Sequence, residues 1–483
     1  MKPNMIYILS DQHHAGVMGC GGDAYVRTPC LDNLRERSTM LEQCYCAAPL
    51  CVPSRSSILT GLLPTHTGVY NNMQCLSSDK ATFVNLLTIA GYETVLSGRM
   101  HFVGLDQRHG YEKRLVGDIT PCFIGGDNEE EIYGSFKRSS GQNLTSIKKS
   151  GAGHSAVLDF DRDVTDAACD YLRNRRDERP LFMTIGFYGP HCPYIAPKEL
   201  YDYYYEILPE LPDMPEEEKK NLHPAILRWY ENRRMEEVKK EDVRRIRAAY
   251  YAMVEYMDSL VGEVLKAAEE TLGLDNTLIV YTSDHGDNIG EHGLFWKTNF
   301  YDGAARVPAM FSWKGHVKEN ESIGGITSLM DLAPTLLEVG EAPCLPLCDG
   351  RSLWESLTTG KEVDLQRSVL SMCSDIKGDN PSAMVRKGRY KLVVHAGYPE
   401  YQLFDMETDP GEFCDLGKKE EYKTIAEELR RELHGGWEEK EMLQRLEADK
   451  QHFRYMKQWY DQVKPPLVEE WRGDSRRNYL LSC

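Results

Sequence analysis

The run Leu50-Cys51-Val52-Pro53-Ser54-Arg55-Ser56-Ser57-Ile58-Leu59-Thr60-Gly61 sets a nucleophile, a turn former and a cation in one short segment. Pro53 is pre-set for the first turn of a helix, and Gly61 is the residue type that ends one. Cys51 therefore falls at a helix N-terminus, where free N–H groups and the macrodipole favour negative charge. Arg55 lies one helical turn on from Cys51 and can lean toward it. Nucleophile, cation and dipole point at one place, which suits an anionic substrate.

Four apolar runs surround this segment in the sequence, at residues 5–9, 92–96, 181–187 and 277–282. Continuous apolar runs of this length are expected of strands buried on both faces of a parallel sheet. Each run ends in polar chemistry. The first leads to Ser10-Asp11-Gln12-His13 and the second to Ser97-Gly98-Arg99-Met100-His101. The third leads to Gly189-Pro190-His191, and the fourth to Ser283-Asp284-His285-Gly286-Asp287 with Lys297 beyond it. Open α/β sheets bind ligands just past the C-terminal ends of their strands. Asp287 and His292 are read as holding the last of these loops.

Between the runs, helices are expected near residues 83–90, 163–173, 238–272 and 329–339. The longest carries Ile246, Tyr250, Met253, Met257, Leu260 and Val264 at helical spacing, a core-facing stripe. Residues 118–156 are rich in glycine, serine and acidic residues and read as a long loop of the kind that serves as a lid. Residues 201–240 read as a surface excursion. Short strands are expected at 368–372, 383–385, 390–394 and 401–405. The fold class is α/β: a mixed, largely parallel central sheet flanked by helices, with a smaller C-terminal antiparallel-sheet subdomain. The expected boundaries are 1–345 for the catalytic domain, 346–425 for the linker and small subdomain, and 426–483 for a helical tail.

The totals exclude several function classes. The chain has 483 residues, 41% hydrophobic and 27% charged, which is ordinary for a globular protein. Its formal net charge of −18 argues against nucleic acid as a partner. No run is apolar and long enough to span a membrane. The expected location is the cytoplasm, with the 14 cysteines reduced. There is no Gly-x-Ser-x-Gly elbow and no Walker loop.

Cys51-x-Pro53-Ser54-Arg55 followed by Leu59-Thr60-Gly61 resembles the signature of the sulfatase family, within the alkaline-phosphatase superfamily. The run from Gly98 to Glu112 is most similar to the choline-sulfatase branch, with Arg99 where the family usually has Lys. Choline-acting members place aromatic residues in the region of 118–156, where this chain offers Phe123, Tyr133 and Phe136 and no Trp. Residues 401–412 resemble the sulfatase C-terminal subdomain.

The resemblance implies a sulfuric-ester hydrolase acting on a small sugar, aryl or alkyl sulfate. It implies that a separate maturation enzyme oxidises Cys51 to formylglycine. One divalent metal ion, Ca²⁺ with Mn²⁺ or Mg²⁺ as alternatives, is implied on Asp11, Gln12, residue 51, Asp284 and His285. Arg55, Arg99, His191 and Lys297 are implied to stabilise the sulfate charge. His101 and His191 both stand as the acid for the leaving alcohol. Relatives that assemble through their tails imply a homodimer or homotetramer. The same motifs admit a phosphonate monoester or phosphodiester hydrolase, and a metal-binding relative in which Cys51 stays a thiol.

Overall fold

The computed structural model describes residues 2–212, 214–375, 379–433 and 437–481. Its main sheet has nine strands. The four apolar runs are four neighbouring strands at its centre: Thr277–Ser283, Asn4–Asp11, Leu181–Pro190 and Glu93–Gly98, all parallel. Their side chains alternate between two cores. Ile6 and Ile8 face the core built with helices Ala156–Asn174 and Lys240–Leu272. Met5, Tyr7 and Leu9 face the core built with Cys51–Thr60, Phe83–Ile89 and Leu332–Val339. Both faces are covered, which is why the strands read as predominantly apolar runs without polar alternation.

Four further strands extend the sheet beyond Thr277–Ser283, the shortest of them Arg306–Val307 paired antiparallel with Thr39–Tyr45, and here it turns mixed. Ala309–Ser312 pairs antiparallel with Thr277–Ser283 and with Thr39–Tyr45, and Glu321–Ser328 pairs parallel with Thr39–Tyr45. A smaller four-stranded antiparallel sheet follows, from Ser368–Cys373 through Ser382–Lys387 and Tyr390–His395 to Tyr401–Asp405. All four expected short strands are present.

Two sequence readings need correction. Residues 118–156 are not a bare loop. They contain short helices at Glu129–Tyr133 and Leu144–Lys148 and a strand at Gly151–His154, with Ile132, Tyr133 and Ile147 buried. Residues 201–240 are not all surface either: Trp229, Ile226 and Met235 are buried. In both segments short elements lean on distant parts of the chain, so they lack a periodic signal of their own.

Among the described residues, no helix is long and apolar enough to cross a membrane.

Candidate active site

The helix that carries Cys51 runs from Cys51 to Thr60, and all ten of its residues are buried. Gly61 closes it in the left-handed region at φ 66°, its N–H donating to the Ser57 carbonyl. At the other end Leu50 offers no side-chain cap. The Val52 N–H instead donates to Asn72 Oδ1 at 3.0 Å. Ser54 Oγ donates to the Asp284 carbonyl at 2.6 Å, which ties the helix to the end of a sheet strand.

Arg55 does not lean on Cys51. Its Nη2 donates to Asp11 Oδ2 at 3.0 Å, its Nε to Asp284 Oδ2 at 2.8 Å, and its Nη1 to the Arg99 carbonyl at 2.9 Å. The side chain is 1% exposed and both carboxylates are fully buried. Arg99 adds a second cation on Asp11 Oδ2 and donates to Asp118 Oδ1 at 3.2 Å. Its Nη2 donates to His101 Nδ1 at 2.8 Å. Burial alone raises a carboxyl pKa, yet Arg99, His191 and Arg55 hold Asp11 well below the usual range.

Close packing of two strand ends makes this possible. Gly98 pairs with Gly186 across the sheet. A Cβ on Gly186 would sit 2.0 Å from the Arg99 carbonyl oxygen, and one on Gly98 would sit 2.4 Å from that of Gly186. The two glycines let the chain bring Arg99 against Asp11.

Cys51 Sγ lies where these groups converge. His285 Nε2 is 3.1 Å away, Lys297 Nζ donates to it at 3.3 Å, and Asp11 Oδ1 is 3.8 Å away. Burial pushes the thiol up, but Lys297 and His285, with hydrogen bonds from His101 and His191, pull it well below its ordinary range. These surroundings favour negative charge on the side chain of residue 51. Lys297 is 3% exposed and also donates to Gln12 Oε1 at 2.6 Å. Burial disfavours its charge, but Cys51 and Asp11 raise its pKa and keep it an ammonium.

The two histidines differ. His101 Nδ1 faces an arginine, which only donates, so the neutral ring carries its proton on Nε2. Burial and Arg99 push its pKa down and hold it neutral. His191 Nδ1 meets the Cys192 carbonyl at 2.6 Å, which only accepts, so that nitrogen bears a proton and Nε2 is the nitrogen turned away from the main chain.

Side-chain donor atoms of Asp11, Cys51, Asp284 and His285 all lie within 4.8 Å of one another, a group able to hold a metal ion. Gln12 is beside them, its Oε1 on Lys297 and its Nε2 donating to Asp287 Oδ2 at 2.6 Å. Asp287 also accepts from Tyr194 Oη and from the Trp296 N–H, both at 2.6 Å, and so anchors the loop as read from the sequence. His292 pairs with Glu218 and stacks on Tyr301.

Gln12, His101, Trp296 and Thr298 all have φ between 53° and 69°, strain of the kind that gathers at functional sites. The sequence reading missed Asp118. It accepts from the His101 and Met100 N–H groups as well as from Arg99. Its partners lie 17–19 residues away and no local pattern marks it.

Fold and site together define an α/β hydrolase of alkaline-phosphatase-like architecture. The family model described as Sulfatase matches residues 3–342. A second, described as N-sulphoglucosamine sulphohydrolase, C-terminal, matches residues 290–439. A choline-sulfatase of Rhizobium meliloti is 36% identical over 434 residues, spanning 86% of this chain and 83% of that protein. A protein solved in complex with its substrate D-glucosamine-2-N,6-O-disulfate superposes with a TM-score of 0.72 at 22% identity, covering 94% of this chain and 99% of that one. A phosphonate monoester hydrolase of Agrobacterium radiobacter gives a TM-score of 0.73 at 22% identity, covering 93% and 96%. The chain belongs to the sulfatase family and is a sulfuric ester hydrolase.

Proposed function

We propose that this chain hydrolyses a small organic sulfate monoester with residue 51 acting as a formylglycine hydrate. The observation that carries the proposal is the position of the residue 51 side chain. It sits among Asp11, Asp284, His285 and Lys297, and the cations among these favour negative charge on it. A thiolate or alkoxide attacking sulfur would leave a stable sulfated enzyme. A hydrate has two hydroxyls on one carbon: one attacks sulfur as the ester alcohol leaves, and the other collapses to the aldehyde and expels sulfate.

The donor set fits a divalent cation. Two carboxylates and the residue 51 oxygen suit Ca²⁺, Mg²⁺ or Mn²⁺, with Gln12 beside them, and the His285 nitrogen favours Mn²⁺ or Mg²⁺. When bound, such an ion would supply Lewis acidity to the hydroxyl and the sulfate oxygens. The other roles follow from the hydrogen bonds. Lys297 places its ammonium where charge develops on the sulfate. Arg55 and Arg99 fix the carboxylates and, through Nη2, the ring of His101. His101 gives a fixed neutral N–H. His191 passes its Nε2 proton to the leaving alcohol.

Choline is one candidate alcohol, from the relative at 36% identity, and a sulfated sugar is another. Two of the three aromatics of the segment 118–156 already have partners. Phe123 packs on Trp459 and Tyr460, and Lys149 sits over the Phe136 ring. This favours a substrate recognised by polar contacts over one caged as an ammonium ion. The test is kcat/KM on matched sulfate monoesters and phosphodiesters. Sulfate is expected to be preferred, and a strong phosphodiester preference would overturn the reading.

A further inference from the structure

Two of the attachments of the segment after the small sheet lead to the catalytic groups. The first attachment is on the helix Glu439–Val463. Asp449 Oδ2 accepts from Asn71 Nδ2 at 3.3 Å and from Gln74 Nε2 at 2.9 Å. Gln74 Oε1 in turn accepts the N–H groups of Tyr70 and Asn71. Arg445, one turn earlier, donates to the Gly68 carbonyl at 2.5 Å and covers the Tyr70 ring. The loop pinned in this way presents Asn72, whose Oδ1 takes the Val52 N–H. That N–H is one of the unpaired donors of the first turn, next to the nucleophile, and Leu50 leaves it uncapped.

The second attachment follows the helix. The Asp118 N–H donates to the Glu469 carbonyl at 2.9 Å, and the Trp471 N–H donates to the Asp118 carbonyl at 2.8 Å. Asp118 is the residue that holds Arg99 and the His101 main chain. The approach is tight: a Cβ on Gly117 would lie 2.0 Å from the Glu469 carbonyl oxygen. The Trp471 indole then anchors the strap, its Nε1 donating to Asp163 at 2.9 Å and its ring meeting Phe160 edge-on.

We propose that residues 439–471 form a strap that positions the catalytic groups from outside, through Asp449 on the Asn72–Val52 cap and through Glu469 and Trp471 on Asp118. Asp449 and Asn72 are thereby positioning residues, and neither touches the reacting atoms. The proposal rests on the catalytic reading above for its kinetic arm only.

The test uses the full-length matured enzyme and two readouts: kcat and KM on a sulfate ester, and amide hydrogen exchange of peptides covering 51–60 and 68–75. Asp449→Ala should lower kcat about tenfold with KM within about twofold, the size of an outer-shell defect. It should also speed exchange in both peptides. Asp449→Asn, which keeps an acceptor oxygen, should restore most of both. Asp449→Ala combined with Asn72→Ala should be no slower than Asn72→Ala alone, because the two act along one path. Gly117→Ala, which pushes on the second attachment, should lower kcat in the same way. Glu447→Ala, exposed on the same helix, should match wild type.

A lower melting temperature for Asp449→Ala with kcat and the 51–60 exchange unchanged would overturn the proposal, as would fully additive effects of Asp449 and Asn72. If the wild-type enzyme turned over no sulfate ester, the exchange arm would still decide the strap.

Discussion

The ends of the four parallel strands and the segment 118–156 that follows the second of them are built in opposite ways. At the strand ends, Asp11, Gln12, Arg99, His101, His191, Asp284 and His285 sit one to three residues past a central strand or on its last residue, and Cys51 and Arg55 on their helix and Lys297 on the later loop join them. They find their partners within the same nest: Asp11 with Arg55 and Arg99, Asp284 with Arg55, Lys297 with Gln12 and Cys51. In 118–156, short helices and turns are held by residues from the far end of the chain. Asn128 bonds Glu470, the Ile132 carbonyl accepts from Asn478, and Gly153 pairs with Leu480. The strand-end groups are thus written into short local motifs, whereas the segment 118–156 is written into contacts across more than three hundred residues. Changes at the strand ends, and at Asp118 that holds Arg99 and His101 from the start of the next segment, should strike kcat, and changes in the rest of that segment, 119–156, should strike KM.

The largest effect is expected at the nucleophile. Cys51→Ala should cost about a thousandfold or more in kcat, as loss of a covalent nucleophile does elsewhere. Single-turnover rates on an aryl sulfate would check it. Lys297→Ala should cost about 10²–10³ in kcat, the worth of one donor aimed at developing charge, with little change in KM. Removing divalent metal by chelation should abolish turnover, and adding Mn²⁺, Mg²⁺ or Ca²⁺ back should restore it in proportion to occupancy. Asp118→Asn should fall lower on the scale, about tenfold in kcat, because it acts through Arg99 and His101. Phe136→Ala, in the segment 118–156, should change KM by less than about tenfold and leave kcat alone. A kcat loss at Phe136 equal to that at Lys297 would break the comparison.

A pH measurement sharpens the account of the strand ends further. Asp161 accepts the N–H groups of Tyr188 and Gly189, just before His191, and burial pushes its carboxyl up to about 7. A carboxyl raised in the folded state contributes stability below its unfolded pKa of about 4 and loses it as pH rises through about 7. Relative to Asp161→Asn, the wild type should therefore lose about 2 kcal/mol between about pH 5 and about pH 8. Paired urea melts at the two pH values would show it. Equal slopes for the two proteins would mean that Asp161 titrates normally.

Legibility in the sequence follows the same division. The four central strands were readable because both faces are buried, so apolar residues dominate each run and the few polar ones, such as Glu93 and Thr184, are themselves buried. The Cys51 helix was readable from Pro53 and Gly61. The strand Thr39–Tyr45 was not: it is buried at its ends but exposed at Glu42, which blurs both patterns. Glu321–Ser328 is hidden by Gly324 and Gly325, which break its apolar pattern and in the structure lie at a register shift between Ile323 and Ile326. Ala309–Ser312 is four residues long and follows a proline. Arg55 was read as a partner of Cys51 because helical spacing puts it nearby. The two buried carboxylates outbid the thiol for its donors, and spacing alone carries no information about them. His101 and His191 became distinguishable only once the atom opposite each Nδ1 was known.

The central claim is that the group at position 51 is an aldehyde hydrate, and the mass of the peptide containing residue 51 tests it most directly. The protein should be isolated from its native host, digested and measured with and without a carbonyl-reactive label. The account predicts a peptide in which the CH₂SH of Cys51 has become CHO, which takes up the label, in proportion to sulfatase activity across preparations. A peptide with the thiol intact in fully active enzyme would contradict it.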